Sequence, residues 1–151
     1  MEITAPDFKL GSLCETVMRD LPEWFGIEQS IVDYVNQIDS LPTITAKSQD
    51  EVVGFVSMNL NFEKSAELHV LAVKKVHHRT GIGRQMFLAT EAYLKKQGIQ
   101  FVQVKTISEN SPDTHYEKTR KFYKAMGYTE LEEFPNLWGA HNPCLQLIKS
   151  I

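Results

Sequence analysis

The spacing of hydrophobic residues changes along the chain and separates helical from extended segments. Residues 10–20 and 28–40 are predicted to form two helices, the second because its apolar side chains recur at helical spacing. Over 51–62 apolar and polar residues alternate, which predicts a strand with one buried face. A second strand is predicted over 66–73, joined to the first by a hairpin turn. The face of 51–62 expected to be buried carries Val52, Val56, Met58, Leu60 and Phe62.

A third helix is predicted over 82–96. Lys95 and Lys96 suit the negative end of its dipole, and Gly98 stands where a residue in the left-handed conformation commonly ends a helix. Its apolar stripe comprises Ile82, Met86, Ala89, Tyr93 and Leu94.

The remainder of the chain predicts a strand over 100–106, a helix, and an antiparallel pair of strands over 128–134 and 143–149. Ser111 with Pro112 has the pattern of an N-cap followed by proline at the first helical position, and the helix stops before the two last strands. The order of these segments is therefore helix, helix, two strands, helix, strand, helix and two strands. This order predicts an α+β fold, with a mixed sheet and helices on its faces.

Composition is that of an ordinary globular domain. The 151 residues are 42% hydrophobic and 23% charged, which allows a core within one domain. No stretch approaches the ~20 apolar residues of a membrane span, and the N-terminus lacks the features of a signal peptide. Cys14 and Cys144 are too few for a disulfide framework, so we expect buried thiols in a reducing cytoplasm.

The histidines do not have the spacing of a metal site. His77 and His78 are adjacent, so their rings point to different sides, and no carboxylate-rich motif accompanies them, His115 or His141. We therefore expect no bound metal.

Charge is distributed unevenly. Sixteen basic and nineteen acidic residues leave a formal net charge of −3, which argues against a nucleic-acid partner. Residues 1–50 hold three basic and nine acidic side chains, or −6, whereas 51–151 hold thirteen basic and ten acidic ones, or +3. One part of the molecule can therefore attract cations while another attracts anions.

The most informative segment is 73–84, where a strand leads into a helix through Gly81 and Gly83, with four basic side chains and no acidic one. The first turn of a helix leaves backbone N–H groups unpaired and carries partial positive charge, and glycine lets an anion approach the main chain closely. Arg79 and Arg84 add charge-assisted contacts. The segment therefore predicts a phosphate or pyrophosphate site, although neither the Walker A nor the dinucleotide glycine pattern is present.

Two motifs resemble those of the GNAT superfamily of N-acetyltransferases. His78-Arg79-Thr80-Gly81-Ile82-Gly83 is similar to its pyrophosphate-binding Arg/Gln-x-x-Gly-x-Gly/Ala, with histidine in the first place. Phe122-Tyr123-Lys124-Ala125-Met126-Gly127-Tyr128 resembles its helix ending in aromatic-Tyr-x-x-x-Gly-aromatic. The resemblance implies a mixed, mostly antiparallel sheet of about six to seven strands flanked by four helices. It also implies that residues 1–151 form a single N-acetyltransferase domain.

The same resemblance implies acetyl-coenzyme A as the co-substrate. The backbone of Leu71, Ala72 and Val73 would pair with the pantetheine arm and the acetyl carbonyl, one N–H serving as a small oxyanion hole. Asn110, at the end of the strand before the last helix, and Tyr123 would also contact the coenzyme. The pyrophosphate would be held by His78, Arg79, Thr80, Gly81, Ile82, Gly83 and Arg84.

Direct attack of an amine on a thioester needs a base and an acid. Glu67 and His69 alternate onto one face of the strand over 66–73, and either could take the amine proton directly or through a water. The resemblance implies that Tyr123 is the general acid that protonates the departing thiolate.

In the resembling family the two early helices and the last loop wall the acceptor pocket. This sequence places acidic and aromatic residues there, which suits a small cationic amine through ion pairing and cation–π contact. The substrate-binding candidates are Trp24, Phe25, Tyr34, Glu67 and Trp138. The alternatives are a peptide or protein amine as acceptor, or a non-catalytic acyl-coenzyme A-binding regulatory module. No membrane partner is expected, and a homodimer is compatible with the resemblance.

Overall fold

A computed structural model describes residues 1–151 and contains seven strands and four α-helices. The strands are β1 (Glu2–Ile3), β2 (Thr43–Ser48), β3 (Glu51–Phe62), β4 (Ser65–Val73), β5 (Phe101–Ile107), β6 (Thr129–Phe134) and β7 (Cys144–Ser150). The helices are α1 (Gly11–Arg19), α2 (Glu28–Asp39), α3 (Ile82–Lys96) and α4 (Tyr116–Ala125), with a 3-10 helix at Lys75–His77. No helix in the structure combines the length and the hydrophobicity that a membrane span requires.

The strands form one sheet in the order β1-β2-β3-β4-β5-β7-β6. β4 and β5 pair in parallel, whereas β1 with β2, β2 with β3, β5 with β7 and β6 with β7 pair antiparallel. The parallel ladder is short: it ends at Glu67 opposite Gln103, although β4 continues to Val73 and β5 to Ile107. The predicted α+β class, with a mixed and mostly antiparallel sheet, is confirmed.

The chain clusters into two compact units. Unit 1 comprises residues 1–59 and 68–97, and unit 2 comprises residues 60–67 and 98–151. In unit 1, α1 and α2 pack with β3 and the second half of β4 around a buried apolar cluster. The members of that cluster are Cys14, Val17, Met18, Leu21, Ile31, Ile38, Val52, Phe55, Val70 and Ala72.

Unit 2 is built on β5, which lies between β4 and β7 in the strand order. Helix α4 packs against β5. Gly127 ends this helix in the left-handed conformation (φ +94°), as the sequence predicts. The buried side chains of the unit include Val102, Val104, Tyr123, Met126, Tyr128 and Leu147.

The prediction of a strand over 51–62 with one buried face is right in extent and wrong in burial. All residues from 52 to 58 are buried, because helices cover both faces of β3. Met86 of α3 lies 3.1 Å from where a side chain on Gly54 would begin, and Phe55 packs in the cluster with α1 and α2. Beyond this covered stretch Leu60 is partly exposed, and Phe62 is 79% exposed.

Two helix details also differ from expectation. Ala89 and Tyr93 of the predicted α3 stripe are only half-buried, whereas Phe87, Thr90 and Glu91 are buried. Helix α4 begins at Tyr116 rather than at the proline after Ser111. The segment before it folds into side-chain-bonded turns: the Ser111 hydroxyl accepts the Asp113 N–H, and the Asp113 carboxylate accepts the His115 N–H.

Candidate active site

The predicted anion-binding turn joins β4 to α3 in unit 1. Gly81 precedes the first helical residue with φ +85°, a left-handed conformation that favours glycine. No side chain caps the helix, and its first backbone bond runs from the Gln85 N–H to the Gly81 carbonyl. The N–H groups of residues 82–84 therefore lack helical acceptors, and beyond the adjoining chain no heavy atom lies within 4 Å of where a side chain on Gly81 would begin. The turn thus offers donors, positive dipole and space for an anion.

The four cations of segment 73–84 divide into two pairs. The Lys74 ammonium pairs with the Glu51 carboxylate, and the Lys75 ammonium lies 3.0 Å from the Glu23 carboxylate. Arg79 and Arg84 are exposed on either side of the turn. The two lysines therefore form ion pairs within unit 1. The two arginines are the cations positioned to contact an anion bound at the turn.

The connection between α1 and α2 is tied to the start of this turn. The Asp20 carboxylate accepts the Lys75 backbone N–H at 2.8 Å. The Trp24 ring stands edge-on to the His78 ring, with 5.9 Å between centroids. His78 Nε2 also donates to the Val73 carbonyl at 2.6 Å. Both partners of that last bond were predicted to touch the coenzyme, and here they contact each other.

Three of the predicted site residues meet where the segment before α2, helix α2 itself and β4 come together. The Phe25 and Tyr34 rings are 6.1 Å apart at 84°, and the Tyr34 and His69 rings are 5.9 Å apart at 69°. His69 Nε2 lies 2.6 Å from the side-chain oxygen of Gln37. Sequence reasoning missed Gln37, because nothing in the local pattern links it to a residue 32 positions away.

Glu67, the other predicted base, is held in an ion pair in unit 2. Its carboxylate lies 2.6 Å from the Lys105 ammonium, with side chains 13% and 27% exposed. Lys105 lies two residues beyond Gln103, the strand partner of Glu67, so side-chain alternation places it on the same face. Sequence reasoning missed Lys105, although a lysine inside a short apolar strand is a signal for a paired charge.

The predicted general acid, Tyr123, is buried on α4, with 5% of its surface exposed. Burial, together with the nearby Tyr116, raises the pKa of its phenol well above the ordinary value. The phenol is therefore protonated throughout the neutral range, and its O–H is available as a hydrogen-bond donor. Its ring neighbours are Phe122 at 6.0 Å and Tyr128 at 6.3 Å between centroids.

Asn110 lies in a polar cluster of unit 2. Its side-chain amide donates to the Glu133 carboxylate at 2.7 Å, and the Ser108 hydroxyl donates to the same oxygen. These bonds lower the pKa of the Glu133 carboxyl, and the hydrogen bond from Ser108 has the larger effect. Asn110 and Glu133 also line an open cleft of about 320 Å³ together with His141. Trp138, the acceptor candidate from the last loop, is 42% exposed.

Neither cysteine has the character of a nucleophile. Both side chains are fully buried, as predicted. Burial, with a smaller contribution from Asp39, raises the pKa of the Cys14 thiol to about 12. Burial likewise raises the pKa of Cys144. No group of three or more His, Cys, Asp or Glu side chains is arranged to hold a metal ion.

Comparison with known proteins gives consistent matches. Residues 10–128 match the Acetyltransferase (GNAT) family. An uncharacterized N-acetyltransferase of Chlorobaculum tepidum is 28% identical over 119 residues, which are 77% of this chain and 68% of that protein.

The structural matches show the same fold. A crystal structure described as an acetyltransferase of the GNAT family, from Desulfovibrio desulfuricans, has a TM-score of 0.84 over 99% of both chains at 14% identity. An aminoglycoside 6'-N-acetyltransferase complexed with coenzyme A has a TM-score of 0.79, covering 99% of this chain and 97% of that one at 22% identity. The chain therefore belongs to the GNAT family of acetyltransferases and is an acetyl-coenzyme A-dependent acyltransferase.

Proposed function

We propose that the protein transfers the acetyl group of acetyl-coenzyme A to a primary amine of a small cationic molecule. The observation that carries this proposal is the run of ring contacts from Phe25 through Tyr34 to His69. It puts an imidazole, the side chain best suited to proton transfer near neutral pH, into an aromatic wall. Aromatic faces attract ammonium groups, and the imidazole can take a proton from the amine that reacts.

The turn at Gly81 is the proposed site for the pyrophosphate of the coenzyme. Its support is the open space above Gly81, the N–H groups of the first turn of α3, and the exposed Arg79 and Arg84. Thr80 shapes the turn, because its hydroxyl donates to the His77 carbonyl at 2.6 Å. Acetyl-coenzyme A supplies the activated thioester, and these residues bind and orient it. The predicted contacts of Leu71, Ala72, Val73 and Asn110 with the coenzyme remain part of the proposal.

His69 and Tyr123 have the proposed roles of base and acid. The amine nitrogen bonds to the thioester carbonyl carbon and the C–S bond breaks, so one proton must leave the nitrogen and one must reach the sulfur. His69 accepts the proton that leaves the nitrogen, and the Tyr123 phenol donates the proton that reaches the sulfur. Glu67 is the alternative base, but its carboxylate is already paired with the Lys105 ammonium, which disfavours its protonation.

The acceptor is proposed to be cationic because of the charge and rings of unit 1. Residues 1–50 carry −6, and Trp24, Phe25 and Tyr34 are half-buried against the core cluster, so part of each ring faces outward. Some of the acidic side chains are engaged within the fold, such as Glu15 and Glu28 with Arg19. The aromatic rings are therefore the stronger support for a cationic acceptor. Trp138 and Glu67 remain further acceptor candidates.

Two measurements test the proposed function. Calorimetric titration with acetyl-coenzyme A, ATP and NAD should show binding of acetyl-coenzyme A alone. Thiol release should then be followed with aminoglycosides, polyamines, neutral amines, anionic amines and peptides bearing a free N-terminus. Preference for small cations is expected, whereas preference for peptides would support the alternative acceptor. Binding without transfer to any amine would support a regulatory module.

Other predictions belong with this proposal. One N-acetyltransferase domain over residues 1–151 and a cytoplasmic location are expected for it, and it is compatible with a homodimer. Size-exclusion chromatography with light scattering tests the last of these.

A further inference from the structure

We propose that Gln37 is a positioning residue for His69: its side-chain amide holds the imidazole in the tautomer with hydrogen on Nε2, so that Nδ1 is the atom that accepts the amine proton. The inference rests on the proposed function, because it takes His69 as the base. It adds a residue that the sequence motifs do not include and names the reacting atom of the imidazole.

The first support is the chemistry of the contact. The side-chain oxygen of Gln37 lies 2.6 Å from His69 Nε2. An amide oxygen can only accept a hydrogen bond, so the hydrogen must sit on Nε2. In a neutral imidazole the other nitrogen then carries the lone pair. The contact therefore determines which nitrogen can act as a base.

The second support is the geometry of α2. Tyr34 and Gln37 are three residues apart, so they lie on one face of the helix, and both contact the same imidazole. The tyrosine ring restricts the orientation of the imidazole while the amide selects its tautomer. Ile31 and Ile38 are buried in the core cluster, which holds this helix in place. A base needs such support, because small errors in placement are costly in proton transfer.

The third support is the position of Gln37 in the last turn of α2, which ends at Asp39. The C-terminal end of a helix carries partial negative charge that favours a nearby cation. When His69 takes the proton it becomes an imidazolium, and both nitrogens then donate. The Gln37 oxygen can keep its bond to Nε2 and gains strength as the ring becomes charged. The contact is thus stronger after proton transfer than before it, as catalysis requires.

The tautomer can be measured directly. The full-length protein is labelled with 15N-histidine, and two-bond 1H–15N correlation spectra distinguish a protonated from an unprotonated ring nitrogen. The chain has five histidines, and His69→Gln assigns the relevant signal. We expect the Nε2–H tautomer in the parent protein. Finding hydrogen on Nδ1 would overturn the proposal, whatever the protein acetylates.

Three variants then connect the tautomer with transfer. Gln37→Met keeps length and helix propensity but has no acceptor, Gln37→Glu restores an acceptor, and Gln29→Met is the control. Gln29 is exposed on the same helix and bonds to Asp33 rather than to His69. With acetyl-coenzyme A and an aminoglycoside or polyamine, Gln37→Met should lose the tautomer preference and about tenfold in kcat, a part of what a general base supplies. KM for the amine should change little.

The rescue and the control complete the test. Gln37→Glu should restore both the tautomer and most of kcat, and Gln29→Met should behave as the parent. If Gln37→Met retains kcat, or if His69→Gln transfers as well as the parent, the positioning role is wrong. If no amine is acetylated by the parent protein, the proposed function fails, and the spectra still decide whether Gln37 sets the tautomer.

Discussion

The Lys105 ammonium lies 2.6 Å from the Glu67 carboxylate, and this pair joins neighbouring strands β5 and β4 at the point where their parallel ladder ends. Both side chains are largely covered by protein. Removing one partner leaves a poorly solvated charge, whereas removing both leaves none. The pair is therefore expected to stabilise the sheet rather than to transfer protons.

Substitution separates these roles. Glu67→Gln and Lys105→Met should each lower the free energy of unfolding by about 1–3 kcal/mol, and the double variant should lose less than the two losses added. Urea denaturation measures this. Glu67→Gln should retain kcat within about threefold, because the base is elsewhere. A loss in Glu67→Gln as large as that in His69→Gln would make Glu67 the base instead.

Gly81 is expected to be important for coenzyme binding because the space above it is open. Gly81→Ala places a methyl group in the open space of the turn and strains a left-handed residue, which costs about 1–2 kcal/mol. Titration with acetyl-coenzyme A should show at least a tenfold rise in Kd, since the first-turn N–H groups are screened from the pyrophosphate.

Gly98 supplies the matched control. It follows the other end of α3, has φ +84°, and likewise has no heavy atom beyond the adjoining chain within 4 Å of where a side chain would begin. Gly98→Ala should cost similar stability and leave the Kd for acetyl-coenzyme A unchanged. Equal loss of binding in both variants would show that strain, and not the anion site, is responsible.

Tyr123 should be needed for transfer and not for coenzyme binding. Tyr123→Phe keeps the buried ring and removes the proton donor, so kcat should fall by roughly a hundredfold while the Kd for acetyl-coenzyme A changes little. Tyr128→Phe is the control, because Tyr128 is equally buried and adjacent. If both variants lose kcat equally, the effect comes from packing in unit 2.

Alkaline pH should destabilise the protein through Cys14. The thiol has a pKa of about 12 when folded, against 9.0 ordinarily, because it is buried and lies near Asp39. Above pH 9.0 the unfolded chain therefore releases a proton that the native chain keeps. Between pH 9.0 and about 12, each pH unit should remove about 1.4 kcal/mol from the free energy of unfolding. Below pH 9.0 the thiol is protonated in both states, and none of this stability is lost.

The slope with pH identifies the residue. Cys14→Ala lowers stability at every pH by removing buried volume, but it should flatten the alkaline slope measured by urea denaturation. An unchanged slope in Cys14→Ala would assign the effect to another buried group, such as Tyr123. The buried thiol should also resist alkylation in the native protein and react on unfolding.

Local patterns predicted most of the elements in this protein. The predicted bounds of α3 are the observed ones, and the hairpin between β3 and β4 lies where it was expected. The helical end signal at Gly127 and the glycine turn at Gly81 also have the expected positive φ. These features depend on residues close together in sequence, so the chain alone contains the information.

The burial of both faces of β3 could not be predicted from the local sequence pattern. Ser57 looks like a solvent-facing strand residue, yet it is fully buried and shares a hydrogen bond of 2.7 Å with the Thr43 hydroxyl. Its partner comes from β2, a strand for which the sequence predicted no range. Alternation marks the polar face of a strand, but only the packing of other elements decides whether that face meets water.

The sequence by itself determined the fold class, the glycine turn at Gly81 and the tyrosine near the end of α4, because each is encoded in short-range spacing, capping and glycine position. Only the tertiary structure decided the partners of the candidate bases, Gln37 for His69 and Lys105 for Glu67. Those partners are 32 and 38 residues away. Contacts of that range arise when elements pack together, and hydrogen bonding and ion pairing then decide which group carries a proton.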